Sequence, residues 1–408
     1  MNADAIWKIF EETSYIRTSG TQQEKQCAQY LVDQCKKMGL EPTVEPFAVE
    51  MATIQEVELL MDGVSIPCKG YLLSGTWEVE APFLYLPNTD PYSLQNVKGK
   101  IVMVDGGMGY WKYQDILKHG AVGFITYDGN ANYADHDMDQ KELRPFVSNG
   151  HKIAGVNINA KDAIALIRKG VTTAKITLKQ EETEGISQNV VLDLPGEVPE
   201  TIVLTAHYDS TPLSQGVYDN MSGCVGLLGI LDYFKDHPHR YSLRFVWCGS
   251  EERGLLGSKA YCAAHKEELD SILFNINLDM IGCIMGRFVG CCTAEERLMH
   301  YTAYMASEVG FGIAVNQDVY SSDSTPFADQ GIPAITFARD APGNTATIHN
   351  RYDTIEVMSA RQMELDINFI TAFTERMACA KCFPVERTMP DNMKEALDVY
   401  LLRKRPKK

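Results

Sequence analysis

Residues 201–209 read TIVLTAHYD, an unbroken apolar run that ends in a histidine and, two places on, an aspartate. Residues 242–252, SLRFVWCGSEE, and 271–282, SILFNINLDMIG, repeat the pattern of an apolar run closing on acids. Helical stretches at 223–235, 256–265 and 294–310 separate and follow these runs. Short continuous apolar strands alternating with helices indicate a mostly parallel sheet covered on both faces. In such sheets ligand sites form at the carboxyl ends of the strands. That edge receives His207 and Asp209, whose i, i+2 spacing sends both side chains to one face, then Glu251 and Glu252, then Asp279. Asp219 in GVYDNMSG, a turn entering a helix, and His349 in TIHNRYDT, a polar loop before the last helix, join them.

Taken singly, each has an ordinary reading. A lone histidine is usually a satisfied polar residue, and an aspartate at a strand end is often a helix cap. Convergence on one edge changes the reading. Two histidines with several carboxylates suit zinc or a similar divalent ion held by nitrogen and oxygen, without thiolate. So many acids would also repel one another without cations between them. Glu251 and Glu252 are neighbours in a glycine-flanked turn, so their side chains diverge and can do two jobs.

Around this segment the chain divides by composition. Residues 1–40 are expected to be helical, with Thr21 and Glu24 spaced as a capping box and Gly39 as a stop. From about 45 to 179 the pattern becomes short strands broken by Gly, Pro and Asn, including VKGKIVMVDGG at 97–107 and DILKHGAVGFITYDG at 115–129. The expected organisation is a first catalytic part at 1–44, an inserted domain at 45–184, the main catalytic domain at 185–385 and a tail at 386–408. The last helix is expected over 360–382, and the basic end LLRKRPKK as a solvated terminus.

The 408 residues hold 38 Lys+Arg against 54 Asp+Glu, a formal net charge of -16. That balance disfavours nucleic acid or an anionic membrane as a partner. The first residues, MNADAIWKIFEETSY, lack a basic stretch followed by an apolar one, and no run approaches the ~20 apolar residues of a membrane span. A cytoplasmic location is the expectation. Eleven irregularly scattered cysteines are expected to be free thiols. Neither Cys379–Cys382 nor the adjacent Cys291 and Cys292 has a second metal-type pair nearby, so both are read as structural.

The motifs HYD, YDN.SG, SEE.GL.GS, NLDMIG, IH and DT, in this order, resemble the di-zinc aminopeptidase family that includes aminopeptidase Y and the glutamate carboxypeptidases. The resemblance covers the N-terminal helices and about 186–380. NVKGKIVMVDGG and KHGAVGFITYDG resemble a protease-associated domain. The resemblance implies a three-layer α/β/α sandwich with a mostly parallel central sheet, plus an inserted, smaller β-rich domain. It implies two Zn2+ per chain, His207 and Asp279 on one, Glu252 and His349 on the other, and Asp219 bridging both. It implies that Asp209 hydrogen-bonds the His207 ring, that Asp353 serves the second histidine's loop, and that Asp219–Asn220 is a cis peptide. Glu251 is then the general base, taking a proton from a water whose pKa metal coordination lowers. Ile348 stands where some relatives carry a tyrosine that assists the oxyanion, leaving Tyr320 or Tyr352 as substitutes. Ser324 stands where relatives often have histidine, which bears on specificity.

The function implied is a metal-dependent exopeptidase acting on peptides, with an aminopeptidase ranked ahead of a carboxypeptidase or dipeptidase. Arg253, Arg339 and Arg351 lie near the motifs and leave that choice open, since a carboxypeptidase needs a cation for the substrate carboxylate. A non-catalytic peptide-binding or receptor-like protein on the same scaffold ranks last, because the ligand set and the base are all retained.

Overall fold

Along the strand Val198–His207, Ile202, Leu204 and Ala206 enter one buried cluster and Val203 enters another. The two-residue period of a strand sends alternate side chains to opposite faces, so a strand apolar at every position must be buried on both. Tyr241–Cys248 repeats this: Leu243, Phe245 and Trp247 face the first cluster, Val246 and Cys248 the second. In Ile272–Leu278 a register shift between Ile272 and Phe274 lets Ile272 join the second cluster while Phe274, Ile276 and Leu278 join the first. Without that irregularity the two residues would share a face.

The computed structural model describes residues 1–343 and 345–406. The chain separates into two units, Met1–Ala48 with Ile186–Lys408, and Val49–Gly185. In the first, the sheet is largely parallel. Val198–His207 lies between Tyr241–Cys248 and Ile272–Leu278, parallel to both, and Ala334–Asp340 continues parallel to Ile272–Leu278. Antiparallel partners flank these, residues 190–194 against Tyr241–Cys248 and Arg287–Thr293 against Ala334–Asp340, and Ala314–Gln317 pairs parallel with Arg287–Thr293 beyond. Ala3–Thr13, Gln22–Lys37, Ser222–Phe234 and Ala360–Ala378 cover one face through the larger cluster. Tyr261 and Cys262 of Leu256–Ala264 and Phe327 of Ser324–Asp329 cover the other. This is an α/β sandwich of three layers.

Within FNINLDMIG, read as apolar, Asn275 and Asn277 are fully buried. Asn275 donates to the Val203 carbonyl and to Thr205, whose hydroxyl donates to Asn277, which in turn donates to Ser322. Both side-chain NH2 groups therefore find acceptors, the main condition on which a polar residue is tolerated there.

The second unit is built on Ile101–Val104, Gly123–Asp128 and Ala154–Asn159, parallel to one another and to residues 83–86, with helices Tyr110–Lys118 and Ala160–Lys169 between and after them. Residues 77–82 pair antiparallel with 173–178. Among the described residues no helix is long and apolar enough to cross a membrane.

Three boundaries differ from expectation. The last long helix stops at Ala378, leaving Cys379 and Cys382 exposed beyond it. The segment 386–408, expected as a tail, contains the helix Asp391–Tyr400, whose Met393 and Leu397 pack with Ala328 and Met389. Their i, i+4 spacing was the available signal, masked by the surrounding charge. At the second helix, Thr21 accepts from the Glu24 amide, but the Glu24 carboxylate turns to Gly20, Ser187 and Ser250 instead of closing the capping box.

Candidate metal centre

Parallel neighbours end together, so His207, Glu251, Glu252 and Asp279 emerge at one edge of the sheet. Asp279 is fixed there by its amide, which donates to the Phe337 carbonyl at 3.0 Å. Asp219 sits at a non-helical kink, φ -113° and ψ 87°, just before Ser222–Phe234, and its peptide bond to Asn220 is cis. His349 has φ 59°, and Ser250 and Met280, beside the ligand candidates, are also left-handed. Non-glycine residues in that region cluster where side chains are aimed for function. Glycines at 249 and 257 let the Glu251–Glu252 turn fold tightly, since a Cβ on Gly257 would lie 2.3 Å from the Gly249 carbonyl oxygen.

Two triads of ligand-capable atoms result: His207 with Asp219 and Asp279, and Asp219 with Glu252 and His349. Asp219 belongs to both and offers a different oxygen to each, Oδ1 at 3.2 Å from His207 Nε2 and Oδ2 at 3.0 Å from His349 Nε2. Glu252 Oε2 is 3.1 Å from His349 Nε2, and Asp279 Oδ1 is 3.7 Å from His207 Nε2. Glu251 is in neither triad, yet its Oε2 lies 3.9 Å from His207 Nε2. No cysteine enters either group.

These residues fit a divalent cation. Among the described residues Asp279 Oδ1 is buried with no hydrogen-bond partner, and its distance from His207 Nε2 is too long for a hydrogen bond. A buried carboxylate oxygen left alone is costly, and a cation between acid and imidazole removes the cost. The donor set of imidazole and carboxylate is one zinc accepts.

The electrostatics point the same way. Burial alone would lower the pKa of His207, but Glu251, Asp209, Asp219 and Asp279 around it raise it well above the usual range. Partial desolvation likewise opposes the charge on His349, which stays 46% exposed, and the bonds to Asp219 and Glu252 push its pKa up to about 11. Burial raises Glu252 to about 7, with Asp219 adding to it and His349 opposing. Asp219 is held below the carboxylate range by its two histidines, against burial. Both imidazoles are thus drawn towards positive charge by the acids, the place a metal ion's charge would take.

Other expected residues fall as follows. Asp209 lies 3.4 Å from His207 Nδ1, and its two oxygens accept the amides of Glu251 at 2.9 Å and Glu252 at 3.2 Å. It therefore ties the end of one strand to the acid turn of the next, a task the spacing did not announce. Asp353 was expected to serve the loop of His349; its carboxylate instead accepts the amides of Tyr218 and Asp219 at 2.8 and 3.1 Å. The cause is proximity in the fold, for those amides belong to the turn that carries the shared acid. Ser324 is buried and hydrogen-bonded to Thr336, 2.8 Å away. Tyr320 lies near enough to Asp279 and Asp219 for their charges, after burial, to raise its pKa; Tyr352 is exposed.

Three residues escaped the sequence reading. Asp323 precedes the helix Ser324–Asp329 and looks like a cap, but makes no cap bond. It is fully buried, and burial lifts its carboxyl to about 6 against the pull of His207. Glu24 accepts the Ser250 amide at 3.1 Å, next to Glu251. Arg17 is wholly buried beside the 208–216 loop. No motif ties the last two to the site, Glu24 having been read only as half of a capping box, because each reaches it from about two hundred residues away in the chain.

The sheet and the paired triads on its edge define the class, an α/β fold with a candidate two-metal centre. Residues 189–371 match the model of Peptidase family M28. Over 383 residues the chain is 27% identical to aminopeptidase YwaD of Bacillus subtilis, an alignment spanning 87% of this chain and 80% of that protein. The crystal structure of BSAP, a zinc aminopeptidase from Bacillus subtilis, superposes with a TM-score of 0.78 at 25% identity, covering 96% of this chain and 98% of the other. The aminopeptidase from Aneurinibacillus sp. strain AM-1 shares the fold, with a TM-score of 0.77 at 22% identity over 94% and 96% of the two chains.

Proposed function

We propose that this chain is a zinc-dependent aminopeptidase releasing N-terminal residues from peptides at the two triads joined by Asp219. The observation that carries the reading is the division within the acid pair. Glu252 lies within ligand distance of His349 and Asp219, while Glu251 is left beside the centre and outside both triads. His207, Asp219 and Asp279 would hold one ion, and Asp219, Glu252 and His349 the other. Bound zinc supplies Lewis acidity, lowering the pKa of a water and polarising a carbonyl.

The chain's own groups do the rest. Glu251 takes the proton of the attacking water and returns it to the leaving amine. Burial raises its pKa well above the ordinary range, with Glu252, Asp323 and Asp279 adding to burial and His207 opposing. A carboxyl whose charged form is disfavoured by burial can hold a proton as well as accept one. Asp209 keeps the backbone of both glutamates in place. His349, with 46% of its side chain exposed, leaves the second triad open to substrate.

Two facts favour the amino end. The relatives named above are called aminopeptidases, and Arg339, one of the cations available for a substrate carboxylate, is buried in a two-bond pair with Asp366. The test is elemental analysis after dialysis against zinc, with a panel of aminoacyl anilides, N-acetylated counterparts and peptides carrying a free or amidated C-terminus. Two zinc ions per chain and cleavage abolished by N-acetylation are expected. Absence of bound metal, or cleavage that ignores the N-terminus and needs a free carboxylate, would overturn the reading.

A further inference from the structure

Arg17 is fully buried, and among the described residues the hydrogen bonds of its guanidinium all go to backbone carbonyls. Nε donates to Tyr208 at 2.7 Å; Nη1 donates to Thr13, Tyr15 and Gln215 at 2.8, 2.8 and 2.6 Å; Nη2 donates to Gly216 at 2.9 Å. Its backbone is held to the same loop, for its amide donates to Ser210 Oγ at 2.9 Å and its carbonyl accepts the Ser210 amide at 3.2 Å. Gly216 is left-handed at φ 57°, and a Cβ there would meet Ser210 at 2.7 Å and the guanidinium at 2.9 Å. The loop so gripped, 208–216, runs from His207 and Asp209 to the turn bearing Asp219. Loops are ordinarily the mobile part of a fold, but both ends of this one carry ligand candidates of the same triad.

We propose that Arg17 is the positioning residue for the His207–Asp219 half of the metal centre, setting the separation of imidazole and shared carboxylate by clamping both ends of the loop between them. The proposal rests on the two-triad reading above. Five donors in a planar fork suit carbonyls arriving from several directions, whereas an ammonium offers three donors from one point. Lysine at this position therefore keeps the charge and loses the clamp. Partners that orient metal ligands typically contribute 10–100-fold in metal affinity.

The experiment compares zinc affinity of the full chain and of Arg17→Lys, by competition with a chromophoric chelator, alongside circular dichroism and thermal unfolding of the zinc-free proteins. Two sites in the wild type, and a folded Arg17→Lys with one site weakened roughly 10–100-fold, are expected. A folded Arg17→Lys with both affinities unchanged overturns the proposal, whatever its melting temperature, and shows that charge alone, or general stability, is what Arg17 supplies. If Arg17→Lys does not fold, Ser210→Ala removes one strand of the clamp and decides: weakening of the same single site supports the proposal, and unchanged affinity overturns it. A wild-type chain that binds no zinc overturns the two-triad reading first, and is read on the wild type alone.

Discussion

Glu251→Gln isolates the proton-transfer role from everything else the acid turn does. The amide has the shape of the carboxylate, the side chain is only 11% exposed, and the bond that holds residue 251 to Asp209 is made by its backbone amide. The fold and both triads should therefore survive. What disappears is the ability to accept a proton. General-base assistance is typically ~10²–10⁴-fold, which is about 2.7–5.4 kcal/mol of activation free energy, so kcat should fall by that factor with KM little changed. The geometry adds a second measurable quantity. Glu251 Oε2 is 3.9 Å from His207 Nε2, and two full charges at that distance interact by about 4 kcal/mol at an effective dielectric of ~20. If His207 were a protonated ion-pair partner, Glu251→Gln would lower unfolding free energy by a sizeable part of that; if His207 is neutral and holds a metal, stability in zinc should hardly move. Glu252→Gln is the contrast: it exchanges a charged ligand for a weaker neutral one, so zinc content should drop and added zinc should partly restore turnover. The assay is initial rate against substrate concentration, zinc per chain by elemental analysis, and urea unfolding with zinc present. Near-normal turnover in a fully loaded Glu251→Gln protein would refute the assignment of the base.

Other perturbations read neighbouring parts of the site. Asp353→Asn keeps one acceptor for the two amides of Tyr218 and Asp219, so one buried N–H loses its partner; about 1–3 kcal/mol of stability should be lost in urea unfolding of the zinc-free chain. Asp366→Ala leaves the Arg339 guanidinium and the Gly282 amide without their acceptor in a buried setting, and should cost about 3–5 kcal/mol by denaturant midpoint. Glu24 is lifted to about 8, by burial and then by Asp209. Its folded pKa lies above its unfolded one, so the native state holds the extra proton between them and stability falls as pH rises from about 4.5 to about 8. Glu24→Gln should flatten the pH dependence of zinc-free unfolding in that window, by at most about 1.4 kcal/mol per pH unit for one proton; an unchanged slope would count against the assignment.

Continuous apolar runs determined that TIVLTAHYD and its two successors would be strands buried on both faces, because only a sheet covered by helices on each side makes every position of a strand apolar. Parallel order followed, and with it the common edge at which His207, Glu251, Glu252 and Asp279 meet. Local pattern therefore carried the ligand candidates onto the page. It could not show that Asp219 would turn one oxygen to each histidine, since that depends on the path of the 208–216 loop. Nor could it show that Asp209 would spend both oxygens on the amides of the neighbouring turn, or that Asp353 would support Asp219 and not the loop of His349. Those outcomes are set by which backbone N–H groups the fold leaves unpaired nearby, and a buried donor takes whatever acceptor is within reach. Arg17 and Glu24 make the point most plainly. In sequence one follows a helix and the other looks like half of a capping box; only tertiary packing brings them against loops some two hundred residues away, because a buried charge persists only where enough partners converge on it.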